Sequence, residues 1–373
     1  MSRNDWAYLA RVIEGPNAEL NLMLGKYGPT ETAERIRRRS GLSPTLLRAT
    51  EARAELDMAD DDVRAAAAEG FRLVTPDCAE WPTDAVQHFV GHGCSTAIAP
   101  YALWVRGLEL SELLACSVAI VGTRASTSYG TRVATALADG LAANGVTVVS
   151  GGAVGIDAAA HRAALSCGGR TIVVAAAGPG RTYPAGHAGL FDEVVRTGAV
   201  ITEYPPMVRP ARHRFLTRNR LVAGLTDATV LVEAGWRSGA RNTVNWAHEL
   251  NRPVGAVPGP ISSAASTGCH SCIKEGSATL ITGVNDALAL ARQVGQFDEE
   301  DQMELDYAKD AVQALPRNEL KVYDALHPTR AVGASDIARE SGCSLGLTMH
   351  LLAALQQRGM VRRVGSQWQR SAV

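Results

Sequence analysis

The spacing of apolar positions changes twice along this chain. Up to about residue 70, Leu20, Leu24, Ala33, Ile36, Leu46 and Leu47 recur at helical spacing, broken at Gly15-Pro16 and Gly28-Pro29. The pattern predicts a small helical domain over 1–70. From residue 71 onward, short β-branched runs at 117–121, 146–150, 171–176, 199–202, 228–233 and 254–257 alternate with Ala-rich helical stretches. Strands that are apolar throughout and separated by helices are buried on both faces. The fold class read from 71–296 is therefore α/β, an extended Rossmann-like and mostly parallel sheet. Between the first two strands, Val133, Leu137 and Leu141 put an apolar stripe on one helix face and belong to the core. Residues 297–314 read as an acidic linker. Over 315–373, three short helical patterns and an alternating stretch at 360–370 predict a winged-helix domain.

Composition narrows the function classes. The 373 residues carry 37 Lys and Arg against 38 Asp and Glu, a net charge of −1, so any nucleic-acid binding must come from local concentrations of arginine. One such run, Arg35, Arg37, Arg38 and Arg39, is of the kind that covers a solvated helix face. No stretch approaches the roughly 18 uninterrupted apolar residues that span a bilayer, and residues 1–6 do not read as a signal segment. Seven scattered cysteines fit reduced thiols better than a disulfide framework. The chain thus reads as cytoplasmic, with no membrane partner. Cys269 and Cys272 form a lone C-x-x-C without a second ligand pair at suitable spacing, so no metal is expected.

Glycine punctuates the ends of the expected strands, at Gly122-Thr123-Arg124, Gly151-Gly152-Ala153-Val154-Gly155, Gly178-Pro179-Gly180-Arg181 and Gly235-Trp236-Arg237-Ser238-Gly239. In an open parallel sheet these turns share the carboxyl rim, where ligands bind. Glycine lets backbone amides approach an anion, and a following helix adds its positive end, so Ser150 to Gly155 makes a phosphate cradle. The dinucleotide fingerprint is not met, because the turn after the first strand holds a single glycine and Ser150 stands where a ribose-binding acid would, so no cofactor is expected. Arg209 to Arg220 then places five arginines in twelve residues without an acid. Leu221, Val222 and Leu225 continue this segment as a helix entering the sheet, so Arg218 and Arg220 are held. Phe215 is interleaved with them, and guanidinium plus ring suits a single-stranded nucleic acid.

No catalytic constellation emerges: there is no G-x-S-x-G elbow, no H-E-x-x-H and no Walker loop. Asp157 and His161, four apart on one helix, could form an acid–base pair, but Asp157 more simply complements the helix dipole. Glu203 and Glu233 end strands at the rim, either as acids of a nucleotide-cleaving site or as anchors for rim amides and arginines.

The segments Val118 to Arg124, Ser150 to His161, Thr202-Glu203-Tyr204-Pro205-Pro206, Arg218 to Leu225 and Pro258-Gly259-Pro260 to Gly276 resemble, in order, the DNA-processing protein A (DprA, or Smf) family. The layout is similar too, with a small N-terminal helical domain of the SAM or helix-hairpin-helix kind and a C-terminal winged helix. The resemblance implies a non-enzymatic, sequence-independent binder of single-stranded DNA that protects incoming DNA in natural transformation and loads RecA recombinase. It also implies a homodimer formed through the Rossmann-like domain. Carried over by motif, Arg124, Arg218, Asn219, Arg220 and Lys274 would contact the DNA backbone, with Gly151 and Gly152 lending amides. The residue reading adds Phe215 as a stacking ring. Where family members usually carry Phe-Pro this chain has Phe215-Leu216, it has His270 and Cys272 near the basic helix, and its turn at 235–241 is more basic than usual. The alternative from another class is a phosphoribohydrolase-like enzyme on a related fold, which would need a Thr and a Glu that the Ser150 to Gly155 loop lacks.

Overall fold

The computed structural model describes residues 3–89, 97–291, 312, 315–327 and 329–371. They fall into two compact units divided after Gln296. The linker expected at 297–314 lies outside the described residues but for Val312.

The first unit opens with α1 (Arg3–Val12), α2 (Ala18–Arg37), α3 (Pro44–Thr50) and α4 (Ala59–Ala68). Asn17 caps α2, its side-chain oxygen accepting from the Leu20 amide at 2.9 Å, and Ser43 caps α3 in the same way. The expected break at Gly28-Pro29 is a kink inside α2. Gly28 takes φ +73°, and Pro29 has no N–H to bond back across the turn. Tyr8, Leu9, Leu20 and Ile36 share one core with Leu73 and Trp104 of β1 (Arg72–Val74) and β2 (Leu103–Gly107). The Arg35–Arg39 run is not simply solvated. Arg35 pairs with Glu31, Arg37 with Asp5, Arg38 with Glu34, and Arg39 donates to the Leu47 carbonyl.

After α5 (Thr83–Gln87) and α6 (Leu110–Leu113) come β3 (Ser117–Gly122), α7 (Ser128–Ala143), β4 (Thr147–Ser150), α8 (Ile156–Ser166), β5 (Thr171–Val174), α9 (Ala188–Thr197) and β6 (Ala199–Thr202). Then α10 (Arg212–Gly224), β7 (Ala228–Glu233), α11 (Ala240–Glu249), β8 (Val254–Ala256), α12 (Thr267–Lys274), β9 (Thr279–Leu280) and α13 (Val284–Ala291) complete the unit. The sheet order is β1-β2-β6-β5-β4-β3-β7-β8-β9. β3 through β9 are parallel, while β2 joins β6 antiparallel. Val118, Ile120 and Val148 pack with Leu137 and Leu141 on one face, and Ala119, Val121 and Ile172 pack with Leu221 and Val222 on the other. This two-sided burial is why the interior positions of these strands are mostly apolar, with Ser, Thr and Glu mainly at their ends. β1 and β9 show no period in the sequence because they have only three and two residues.

The strand order fixes where a ligand can sit. From β3 the chain runs outward through β4, β5 and β6, then returns to place β7 on the other side of β3. The carboxyl ends of β3 and β7 therefore flank the topological switch point, the crevice in which open α/β sheets bind ligands.

The second unit holds α14 (Arg317–Asp324), β10 (Val332–Gly333), α15 (Ala334–Ser341), α16 (Leu345–Gln357), β11 (Val361–Val364) and β12 (Gln367–Arg370). Its strands form an antiparallel sheet of order β10-β12-β11, and its core centres on Val322, Ile337, Leu352, Leu355 and Trp368. Among the described residues no helix is long and apolar enough to cross a membrane.

Candidate nucleic-acid interface

Glu233, the last residue of β7, organises the turn that follows β3. Its backbone carbonyl accepts from the Thr123 amide at 2.7 Å. Its carboxylate accepts from the Thr127 amide at 2.8 Å and the Thr127 hydroxyl at 2.7 Å. The Ile156 amide donates to the Thr123 carbonyl at 3.2 Å, so the turns after β3 and β4 are held together. Gly155, at φ +86°, lies so close that any side chain there would strike the Thr123 and Arg124 carbonyls.

Above this frame lies an open cavity of about 970 Å³, lined by the turns after β3, β4 and β7, by Tyr183 beyond β5, and by the start of α10. Arg124 is exposed at its mouth, with its guanidinium 5.1 Å from the centre of the Phe215 ring. Phe215 in turn meets Tyr183 at 5.3 Å between ring centres, with the planes tilted by 58°. A cation and two rings thus form a continuous wall.

Arg218 forms the floor. It is only 4% exposed, donates through Nη1 to the Val174 carbonyl, and packs against the backbone of Gly151, where any side chain would collide with its guanidinium. Burial pulls its pKa down to about 10 against the opposing field of Asp157, which still leaves it protonated at neutral pH. Asp157 is itself pushed above the usual carboxylate range by burial, a rise opposed by Arg218 and by the Ala153 amide donating at 3.3 Å. The Arg218 Nε has no hydrogen-bond partner. Beside it Asn219 donates to the Asn242 side chain at 3.2 Å, and both line the cavity.

Of the residues singled out in the sequence, the structure brings Arg124, Gly151, Phe215, Arg218 and Asn219 together around this cavity and puts three elsewhere. Arg220 is fully buried in a bidentate pair with Glu203, because residues two apart on a helix point in different directions. Gly152 is buried, turning its carbonyl to the His187 ring 3.0 Å away. Lys274 is exposed at the end of α12 and does not line the cavity. Tyr183, Arg212, Arg237 and Asn242 line it without having been selected as contact residues. The basic run from Arg209 and the basic turn after β7 carried the signal for the two arginines, whereas Tyr183 and Asn242 had none.

The remaining candidates take structural roles. His161 is fully buried, its Nδ1 is 2.7 Å from the Thr171 hydroxyl, and that hydroxyl donates to the Val148 carbonyl. Nδ1 therefore carries the ring proton, and burial drives the pKa of His161 down to about 3. Asp157 and His161 do not form an acid–base pair. Cys269 and Cys272 are packed in the core, and burial pushes the Cys269 thiol up to about 12. Among the described residues no group of three or more His, Cys, Asp or Glu could hold a metal ion.

Residues 72–292 match the model of the DNA recombination-mediator protein A family. The chain is 44% identical over 367 residues to a putative DNA processing protein DprA of Mycobacterium tuberculosis, covering 97% of this chain and 93% of that one. It is 41% identical over 191 residues to the DNA processing protein DprA of Streptococcus pneumoniae, covering 51% and 67%. The X-ray structure of DprA from Streptococcus pneumoniae superposes with a TM-score of 0.64 at 30% identity, over 79% of this chain and 99% of that one. A structure concerned with the single-stranded DNA binding mode of DprA from Helicobacter pylori gives 0.51 at 28% identity, over 60% and 97%.

Proposed function

This chain belongs to the DNA recombination-mediator protein A family, and on that premise we propose that it binds single-stranded DNA, without sequence preference, in the cavity at the switch point of its sheet. The observation that carries the reading is the juxtaposition of the buried Arg218 cation with the Arg124–Phe215–Tyr183 wall. Guanidinium groups and backbone amides suit phosphates, and ring faces suit any base, so the contacts on offer are indifferent to sequence. The DprA of Helicobacter pylori is described as a single-stranded DNA binder, which supports the same ligand here. A near-neutral chain can do this because its charge is local. Arg124, Arg212, Arg218 and Arg237 border one cavity in which Asp157 is the single acid among the lining residues.

The wider role we propose is protection of incoming single strands and loading of RecA recombinase during transformation or recombination, by a cytoplasmic homodimer joined through its Rossmann-like domain. Family membership is the support for this part. Among the described residues the C-terminal unit has three helices and a small antiparallel sheet, which fits the proposed winged helix. We read the chain as a binder and not an enzyme. Both rim glutamates are committed to holding the frame, Glu203 to Arg220 and Glu233 to Thr127. One observation favours the phosphoribohydrolase-like alternative: Asp157 is a carboxyl with a raised pKa inside the cavity.

The test sets fluorescence anisotropy with single- and double-stranded oligonucleotides beside an assay for base release from AMP. Preferential binding of single strands with no base release is the expected result. Base release at catalytic rates, or equal affinity for duplex, would overturn the proposal.

A further inference from the structure

Trp236, in the turn after β7, is 61% exposed, more than any other aromatic side chain among the described residues. An indole carries a large apolar surface and is normally buried or partnered. Its partner here covers part of it, since the Arg241 guanidinium lies 5.0 Å from the ring centre. The turn itself is built rather than loose. The Ser238 amide donates to the Gly235 carbonyl at 3.0 Å, the Arg241 amide to the Ser238 carbonyl at 3.2 Å, and the Arg241 side chain to the Trp236 carbonyl at 3.2 Å.

Position gives this ring its meaning. Its chain neighbours Gly235, Arg237 and Ser238 line the cavity, so Trp236 stands at the cavity's edge. β7 lies directly beside β3, and adjacent strands are about 4.8 Å apart. The turn bearing Trp236 is therefore the next station along the rim after the turn bearing Arg124. The Trp246 indole N–H donates to the Leu216 carbonyl at 3.2 Å, which ties α11 to the segment that carries Phe215. From Gly235 to His248 the sequence contains no acid.

We propose that Trp236, backed by Arg241, is a second base-stacking platform, on which a single strand continues after crossing the switch point from Phe215 and Tyr183. Arg237 supplies charge for the phosphate between the two platforms. This deepens the single-stranded DNA reading and rests on it.

The test measures the full-length protein by fluorescence anisotropy against an oligothymidylate and against an abasic oligonucleotide of equal length, each over a series of salt concentrations. Trp236→Ala is expected to weaken oligothymidylate binding about ten-fold, the scale of one lost base–aromatic stack. Abasic affinity and the salt slope should stay at wild-type values, because a neutral ring releases no counterions. Trp236→Phe should restore most of the loss. If wild-type protein binds oligothymidylate and Trp236→Ala binds it equally well, the platform is refuted while the DNA reading stands, and the exposed indole belongs to a protein contact. An equal loss on abasic DNA also refutes stacking. If the wild-type protein binds neither oligonucleotide, the DNA reading itself fails and the platform falls with it.

Discussion

Arg220 and Glu203 meet through two hydrogen bonds, Nη1 to Oε2 at 2.7 Å and Nη2 to Oε1 at 2.5 Å, with the arginine fully shielded from solvent. Two residues earlier on the same helix, Arg218 faces the cavity. The Arg-Asn-Arg motif therefore divides its labour: Arg220 holds α10 against the end of β6, while Arg218 and Asn219 line the cavity.

Arg220→Ala should act on stability. Removing one partner of a buried pair leaves an uncompensated carboxylate and costs about 3–5 kcal/mol. Chemical denaturation should show a loss of that size, while the folded fraction keeps wild-type affinity for single strands. A stable variant with weak DNA binding would place Arg220 on the DNA instead.

Arg124→Ala should behave in the opposite way. The side chain is exposed, so the denaturation midpoint should hardly move. Single-strand affinity should fall, and the log–log salt slope should become shallower by about 0.7, the value of one phosphate contact. Anisotropy titrations across a salt series measure both quantities.

Phe215→Ala should lower affinity by about 1–3 kcal/mol with an unchanged salt slope, since stacking carries no charge. Tyr183→Ala should repeat the effect in weaker form, because it removes the ring that braces Phe215. Anisotropy with ordinary and abasic oligonucleotides separates this loss from a phosphate contact.

His161 makes stability depend on pH. Its pKa of about 3 in the folded protein lies below the ordinary 6.5, so the folded state favours the neutral ring. The stabilisation is complete above about pH 6.5 and is lost as pH falls from there toward 3, at up to about 1.4 kcal/mol per pH unit. Asp157 works in the reverse sense, because its raised pKa means that protonation relieves a buried charge. The comparison of wild type with His161→Gln isolates the histidine. Denaturation at pH 7.5 and 4.5 should show the wild type losing about 2–3 kcal/mol more than the variant.

Much of this was legible in the sequence, because the parallel strands are buried on both faces and so carry short runs rich in Val, Ile and other apolar residues. Ser117 to Gly122 and Ala228 to Glu233 announce themselves that way. The turns were legible for a related reason: Gly151 must let Arg218 pack on bare backbone, and Gly155 must clear two carbonyls, so glycine marks the rim. Edge strands as short as β1 and β9 leave no such trace.

What the sequence by itself determined was the α/β class, the central parallel strands, and a basic, aromatic segment at their carboxyl ends. Only the tertiary structure decided which of those side chains face a common cavity. A helix sends Arg218 and Arg220 to different neighbours, and strand order sets the turn of Trp236 beside that of Arg124, far from it in the chain. Side-chain direction and strand adjacency arise from packing between distant segments. The five arginines from Arg209 to Arg220 thus look alike along the chain, yet one of them, Arg220, holds the fold together while Arg212 and Arg218 border the cavity.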